Sequence, residues 1–288
     1  MACPLCDEKH YRASWLGATL YNGREFPYVE CLACNSLYCE PMPDEETLAQ
    51  MYGPSYAMSF SPDPAIEDPK EPQRVLDWLA RIERGTFIDY GCGEGKLLQA
   101  AADSGWDVLG IEFDDDVVRG LAERTGLRTM TSQAALDSEP IADALHLGDV
   151  IEHMTNINEQ MPVILKLIKP GGLLIAQGPL EANFNVFTIG LRLSRSLRPN
   201  AKSEIAPYHV MLATKQGQEE CFRRFDLAKQ EFDVTEVTWP APARLLRSDL
   251  AKPRAVGLFA LRRLSQAISS IQSEWGNRYF YVGRRGEH

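Results

Sequence analysis

Apolar residues in the middle of this chain alternate between helical and extended spacing. Residues 75, 76, 79 and 82 fall at helical intervals and predict a helix over 73–83. Thr-Phe-Ile-Asp-Tyr at 86–90 is a short, nearly unbroken apolar run, as a strand buried on both faces requires. The alternation repeats as helix 94–104, strand 107–112, helix 115–125, a short strand at 127–130, strand 143–149, helix 157–169 and strand 172–178. Farther on, 214–226 reads as a helix, 231–239 alternates as a strand, and 277–284 supplies a last strand with aromatics at 279, 280 and 281. Strands that alternate with helices pair in parallel, so the order predicts an α/β fold with a doubly wound, mostly parallel seven-stranded sheet. Segments 180–213 and 240–276 are insertions that leave from the carboxyl ends of strands, where they are expected to wall a ligand crevice. In the second, Leu261, Leu264, Ile268 and Ile271 share one helical face, expected to pack on the core.

The strand at 86–90 ends in Asp89-Tyr90 and runs into glycines at 91, 93 and 95. Such a turn lets a ligand lie against bare backbone, and the helix behind it aims its first N–H groups at that ligand. The next strand ends in Glu112, a carboxylate placed to accept both ribose hydroxyls of a nucleoside. A second carboxylate beside the turn, Asp89, repels a pyrophosphate but suits the α-amino group of S-adenosylmethionine, whose sulfonium is also cationic. Leu-Gly-Asp-Val-Ile-Glu-His-Met at 147–154 then closes a fourth strand, and Leu-Ile-Lys-Pro-Gly-Gly-Leu-Leu-Ile at 167–175 forms a helix end, a turn and a fifth strand.

In that joint order these motifs resemble the class I S-adenosylmethionine-dependent methyltransferases, over roughly residues 73–240 plus the last strand. The resemblance implies cofactor contacts from Asp89, Tyr90, Gly91, Gly93, Gly95, Glu112, Phe113 and Asp149. It also implies that the last two strands form an antiparallel pair.

Four of the seven cysteines form Cys3-x-x-Cys6 and Cys31-x-x-Cys34, the spacing of a zinc ribbon with a tetrahedral thiolate site. A module of residues 1–45 cannot build an adequate core alone, and a structural zinc ion would supply the missing folding free energy. Cys39, Cys92 and Cys221 lie outside that spacing and read as small buried residues. Seven prolines between 41 and 72 mark residues 46–72 as a linker, in which Tyr52 and Tyr56 are expected to serve packing, with a lid over the cofactor as the alternative. Residues 73–288 then form the methyltransferase domain.

The 288 residues carry a net charge of −10, unevenly spread. Residues 1–187 hold 13 Lys and Arg against 30 Asp and Glu, and residues 188–288 hold 17 against 10. The basic third suits a phosphate-bearing substrate or a peripheral contact with an anionic membrane, and equally a plain solvated basic face; a homo-oligomer is a further possible partner. No apolar run approaches the roughly 20 residues of a membrane span, and the chain opens on Cys-Pro-Leu-Cys, not on a charged and then apolar leader, so a cytoplasmic location is expected.

Methyl transfer to a hydroxyl requires a group that takes the proton as the methyl arrives. His153 and His209 fall at the expected pocket, whereas His10, His146 and His288 read as peripheral. An ordinary imidazole predicts a rate that rises through an apparent pKa of about 6–7. A zinc ribbon fused to such a core resembles bacterial methyltransferases of sugar, cell-surface polysaccharide and secondary-metabolite biosynthesis, deoxysugar C-methyltransferases among them. The further C-terminal domain of the latter is not expected here, and the sequence shows Pro207-Tyr208-His209 where they carry an acid before the histidine. The expected reaction is therefore O-methylation of a sugar hydroxyl on a small-molecule, lipid-linked or glycan acceptor. The alternatives are C-methylation of a sugar or methylation of another small molecule, methylation of a ribosomal RNA base, and a non-catalytic binding or scaffold role. A nucleic-acid partner is not expected, because residues 1–45 hold only Lys9, Arg12 and Arg24 as basic side chains.

Overall fold

The computed structural model describes residues 1–52, 70–136, 138–197, 206–237 and 245–287. Most of the expected linker, with Tyr56, lies outside them, as do Arg198, Lys202 and Arg244 of the insertions.

The chain opens with β1 (Tyr11–Tyr21), β2 (Arg24–Cys31), β3 (Leu37–Cys39) and α1 (Glu45–Met51). The α/β series follows as α2 (Lys70–Leu79), β4 (Thr86–Tyr90), α3 (Lys96–Asp103), β5 (Asp107–Glu112), α4 (Asp115–Thr125), β6 (Thr129–Thr131), α5 (Ser132–Ala135), β7 (Ala142–Gly148), α6 (Ile157–Lys166) and β8 (Ile168–Pro179). The remainder is α7 (Val186–Ser196), β9 (Met211–Leu212), α8 (Lys215–Arg224), β10 (Leu227–Thr235), α9 (Pro253–Ser269) and β11 (Arg278–Arg285).

Seven strands form the main sheet in the order β10-β11-β8-β7-β4-β5-β6. β4, β5, β6, β7 and β8 pair in parallel, and β11 runs antiparallel to both β8 and β10. Alternation across the pleat sorts the core residues by face. Phe87, Ala144, Ile175 and Phe280 pack with Val75 and Leu79 of α2 and Leu98 of α3. Ile88, Leu145, Leu174 and Tyr281 face α6, α8 and the N-terminal module. Phe222 of α8 stacks flat on Tyr281, with ring centroids 3.8 Å apart.

Some boundaries differ from the sequence pattern. β10 begins four residues earlier than expected, because Leu227 to Thr235 must register against Arg285 to Arg278 of β11. α9 also differs in which face it buries. Its buried residues are Arg262, Ser265 and Ser269, and the expected apolar face divides: Leu261 and Ile268 are half-buried, while Leu264 and Ile271 are 52% and 88% exposed. The inward polar groups meet partners that need them: an Arg262 Nη2 donates to the Val237 carbonyl, and Ser269 Oγ donates to the Trp275 carbonyl.

The N-terminal strands form a second sheet in the order β1-β2-β3-β9, so its fourth strand comes from the insertion after β8. Thr214 sets that junction. Its Oγ1 donates to the Cys34 carbonyl at 2.6 Å, and its N–H donates to Ser36 Oγ at 3.0 Å.

Candidate active site

Cys3, Cys6, Cys31 and Cys34 converge so that their sulfurs lie within 4.8 Å of one another, with Cys3 to Cys34 at 3.8 Å and Cys6 to Cys31 at 3.5 Å. Four thiolates held about 2.3 Å from a tetrahedral zinc ion stand about 3.8 Å apart, so the donor set fits that metal. Cys39 and Cys221 are fully buried among apolar side chains, and Cys92 is buried beneath the glycine turn.

The turn after β4 is built for close approach. Gly91 and Gly95 have φ of 82° and 76°, and a Cβ there would stand 2.7 Å from Val150 and 2.6 Å from Leu121. At Gly93 a Cβ would meet no atom within 4 Å, so the backbone there is bare. Gly95 leaves the N-terminus of α3 without a side-chain cap, and its first N–H groups are open to an anionic or polar ligand. Glu112 reaches over this turn, accepting from the N–H of Gly93 at 3.0 Å and of Phe113 at 2.8 Å. The Phe113 ring is 77% exposed, and Tyr90 is half-buried against the core.

Asp89 is buried, and its Oδ1 accepts from His146 Nδ1 at 2.8 Å. His146, which its position in the sequence marks as peripheral, stands directly opposite Asp89 in the β4–β7 pairing and is itself buried. Its signal was the matching position of an acid and a histidine on neighbouring strands, which the strand order alone reveals.

Because Val150 abuts Gly91, the segment after β7 borders the same turn. Asp149 stands there in the left-handed region, at φ 53°, with both carboxylate oxygens 2.7 Å from the guanidinium of Arg278. The Arg278 guanidinium carries its pKa below the ordinary value. Glu152 has no such partner. It is buried, its Oε1 meets no hydrogen-bond donor among the described residues, and burial together with the charge of Asp149 pushes its pKa up to about 8.

The structure brings His153 and His209 together edge to face, with ring centroids 4.8 Å apart. His153 Nδ1 lies 2.8 Å from the Tyr208 carbonyl and 2.9 Å from the Tyr52 hydroxyl. A carbonyl only accepts, so Nδ1 carries the proton and Nε2 holds the lone pair. Tyr52 therefore reaches the site. His209 Nδ1 lies 2.7 Å from Glu181 Oε2, just beyond the carboxyl end of β8. Its own carbonyl accepts from the Tyr28 hydroxyl of β2 at 2.7 Å, which ties the site to the N-terminal sheet.

Neither imidazole keeps an ordinary pKa. Burial, and then the charge of His209, lowers His153 to about 4. Burial also opposes charge on His209, but the Glu181 carboxylate outweighs it and raises His209 to about 9. The rise through about 6–7 read from an unperturbed imidazole is thus displaced, because each ring has a partner that the sequence does not pair with it. Sequence reasoning also missed Glu181, Glu152, Arg278 and Tyr208 as site residues; Glu152 and Tyr208 precede the two histidines in the chain, whereas Glu181 and Arg278 are brought in only by the fold.

Replacing Glu112 by Ala is expected to weaken S-adenosylmethionine binding by about 1.5–3 kcal/mol, the scale of a hydrogen bond to a charged group, and to loosen the Gly93 turn. Titration calorimetry checks this, and unchanged affinity would remove Glu112 from the cofactor site.

The sequence profile of the methyltransferase-domain family matches residues 67–230. A ribosomal protein L11 methyltransferase of Sodalis glossinidius is 28% identical over 172 residues, 57% of this chain and 56% of that protein. A ubiquinone biosynthesis O-methyltransferase of Methylococcus capsulatus is 34% identical over 94 residues, 30% of this chain and 39% of that one. The chain thus spans about half or less of the length of these curated relatives. Among solved structures, phosphoethanolamine N-methyltransferase 2 of Haemonchus contortus, in complex with S-adenosylmethionine, superposes with a TM-score of 0.51 at 14% identity, covering 87% of this chain and 62% of that one. A methyltransferase of Methanosarcina mazei gives 0.51 at 12% identity, covering 75% and 98%. At such identities the likeness is one of fold.

Proposed function

We propose, from the premise that this chain belongs to the family of S-adenosylmethionine-dependent methyltransferases, that it methylates a hydroxyl oxygen of a sugar acceptor, with His209 as the general base. The observation that carries this reading is the 2.7 Å contact between His209 Nδ1 and Glu181. A carboxylate on Nδ1 fixes the tautomer in which Nε2 is free to take a proton, and it stabilises the imidazolium that results. N-methylation of an amine needs no such strong base during transfer, whereas a hydroxyl does.

S-adenosylmethionine, when bound, supplies an electrophilic methyl on a sulfonium. Glu112, Asp89 and the backbone of Gly91 and Gly93 are the residues that would hold it. With that methyl in place, the acceptor hydroxyl would give its proton to His209 Nε2 as the methyl is transferred. His153 stays neutral and pins the Tyr208 carbonyl, so it acts as a positioning residue for the neighbouring base. The ubiquinone-pathway relative is likewise named as an O-methyltransferase.

The test is a transfer assay with labelled S-adenosylmethionine on nucleotide sugars, lipid-linked saccharides, phenols, L11 protein and stripped ribosomal RNA. Label on a saccharide oxygen, located by fragmentation mass spectrometry, is the expected result. Label confined to protein or RNA would overturn the sugar reading.

A further inference from the structure

We propose that the outward face of α7 and α9 is a docking surface for an anionic lipid bilayer. The two helices pack on each other, with Leu261 of α9 seated against Gly190 of α7, where a Cβ would stand 3.2 Å from Leu261 Cδ2. Neither helix contains an acidic residue. α7 leaves Leu193 64% exposed, and Leu197, which follows it, is 84% exposed. On α9 the exposed positions 254, 257, 260, 264 and 267 recur at helical spacing and read Arg, Gly, Ala, Leu and Ala, with Arg263 beside them. Ile271, one step beyond, continues the row and is the most exposed large apolar side chain among the described residues, at 88%.

α9 buries polar as well as apolar side chains. Arg262, Ser265 and Ser269 face inward, Leu258, Leu261 and Ile268 are half-buried, and Ala260, Leu264 and Ala267 face out. Apolar side chains do not collect on a solvated face unless something covers them. The charge decides what covers them. A second copy of the chain meeting this face about a two-fold axis would set Arg254 and Arg263 near their own counterparts with no acid on either helix to offset them. An anionic bilayer takes up the leucines at its interface while its headgroups neutralise the arginines. Elsewhere the chain is strongly acidic, with 30 Asp and Glu against 13 Lys and Arg over residues 1–187. An anionic surface repels that acidic part of the chain, which favours approach by the arginine-bearing face.

The face stands at the carboxyl end of β8, the end that carries Glu181. Asn183 links the two helices' approaches there, its amide donating to the Glu274 and Gly276 carbonyls just before β11. If the hydroxyl-methylation reading holds, the acceptor is a saccharide carried on a membrane lipid, presented from the bilayer to the crevice beside this face.

Co-flotation of the full, zinc-replete chain with vesicles tests the docking without using activity, so it stands or falls apart from the reaction. The chain is expected to float with vesicles of phosphatidylcholine and phosphatidylglycerol at low salt, not with phosphatidylcholine alone, and to release at high salt. Leu197→Asp and Leu264→Asp are each expected to lower vesicle affinity at least about tenfold, and Arg254→Glu with Arg263→Glu to abolish it. Both leucines are exposed, so melting temperature and S-adenosylmethionine binding should be unchanged, and either variant suffices if the other misfolds. No binding to the anionic vesicles, or binding that survives the substitutions, overturns the proposal. A dimer by light scattering that Leu264→Asp dissociates overturns it in favour of self-association.

Discussion

Removal of the thiolate cluster is expected to be the most damaging single change to this protein. With Cys31 and Cys34 both replaced by Ser, the chain should bind no zinc, lose roughly 10 °C or more in melting temperature, and lose nearly all transfer activity. The stability loss follows from the linkage of structural zinc to folding, where apparent binding free energies of about 10–16 kcal/mol at pH 7 are typical of small modules. The activity loss follows from the route by which the N-terminal sheet reaches the catalytic segment. β3 pairs with β9, Thr214 is bonded to the Cys34 carbonyl and to Ser36, and Tyr28 holds the carbonyl of His209. Releasing Cys34 therefore releases the segment that positions the base. Metal analysis of the purified protein should give one zinc per chain. Absence of zinc, or a double variant that melts and turns over like the parent, would show that the cluster is merely four neighbouring thiols.

His209→Ala is expected to lower kcat by about 10²–10⁴ with S-adenosylmethionine affinity nearly intact, since a general base acts on the transition state and not on cofactor binding. The pH dependence adds a signature that simple misfolding would not produce. Only the neutral imidazole can accept a proton, so with a pKa of about 9 the wild-type rate should still be climbing between pH 7 and 9. Glu181→Gln removes the charge that raises His209 while burial continues to lower it, so the rise should move to lower pH and level off at a lower rate. Stability moves the opposite way. A histidine whose folded pKa lies above its unfolded value contributes stability that is fully present below about 6.5 and is lost as pH rises through about 9. The His209→Ala variant should lack that loss on the alkaline side. Full activity in the variant, or an unmoved profile with Glu181→Gln, would transfer proton removal to another group.

The sequence by itself determined what depends on local pattern. The alternation of apolar rhythms gave β5 and α4 their observed limits, because Asp107 to Glu112 and Asp115 to Thr125 carry their own start and stop signals, including the Asp114 cap and Gly126. The glycine turn, its two acids and the paired cysteines were equally legible, since each is a short motif whose residues touch within one or two turns of chain or share a spacing that chemistry requires. Tertiary structure decided whatever depends on which strands lie side by side. His146 meets Asp89 because β7 lies next to β4. Glu181 reaches His209 and Arg278 reaches Asp149 because β8 and β11 follow in the sheet, and β9 crosses to the zinc sheet through a pairing of only two residues. The pKa values of His153 and His209 diverge for the same reason: burial and a neighbouring charge set them, and neither is a property of residues adjacent in sequence. The burial of Arg262 in α9 belongs there too, since the apolar spacing specifies a helix, while its inward arginine meets the carbonyl of Val237 only in the folded chain.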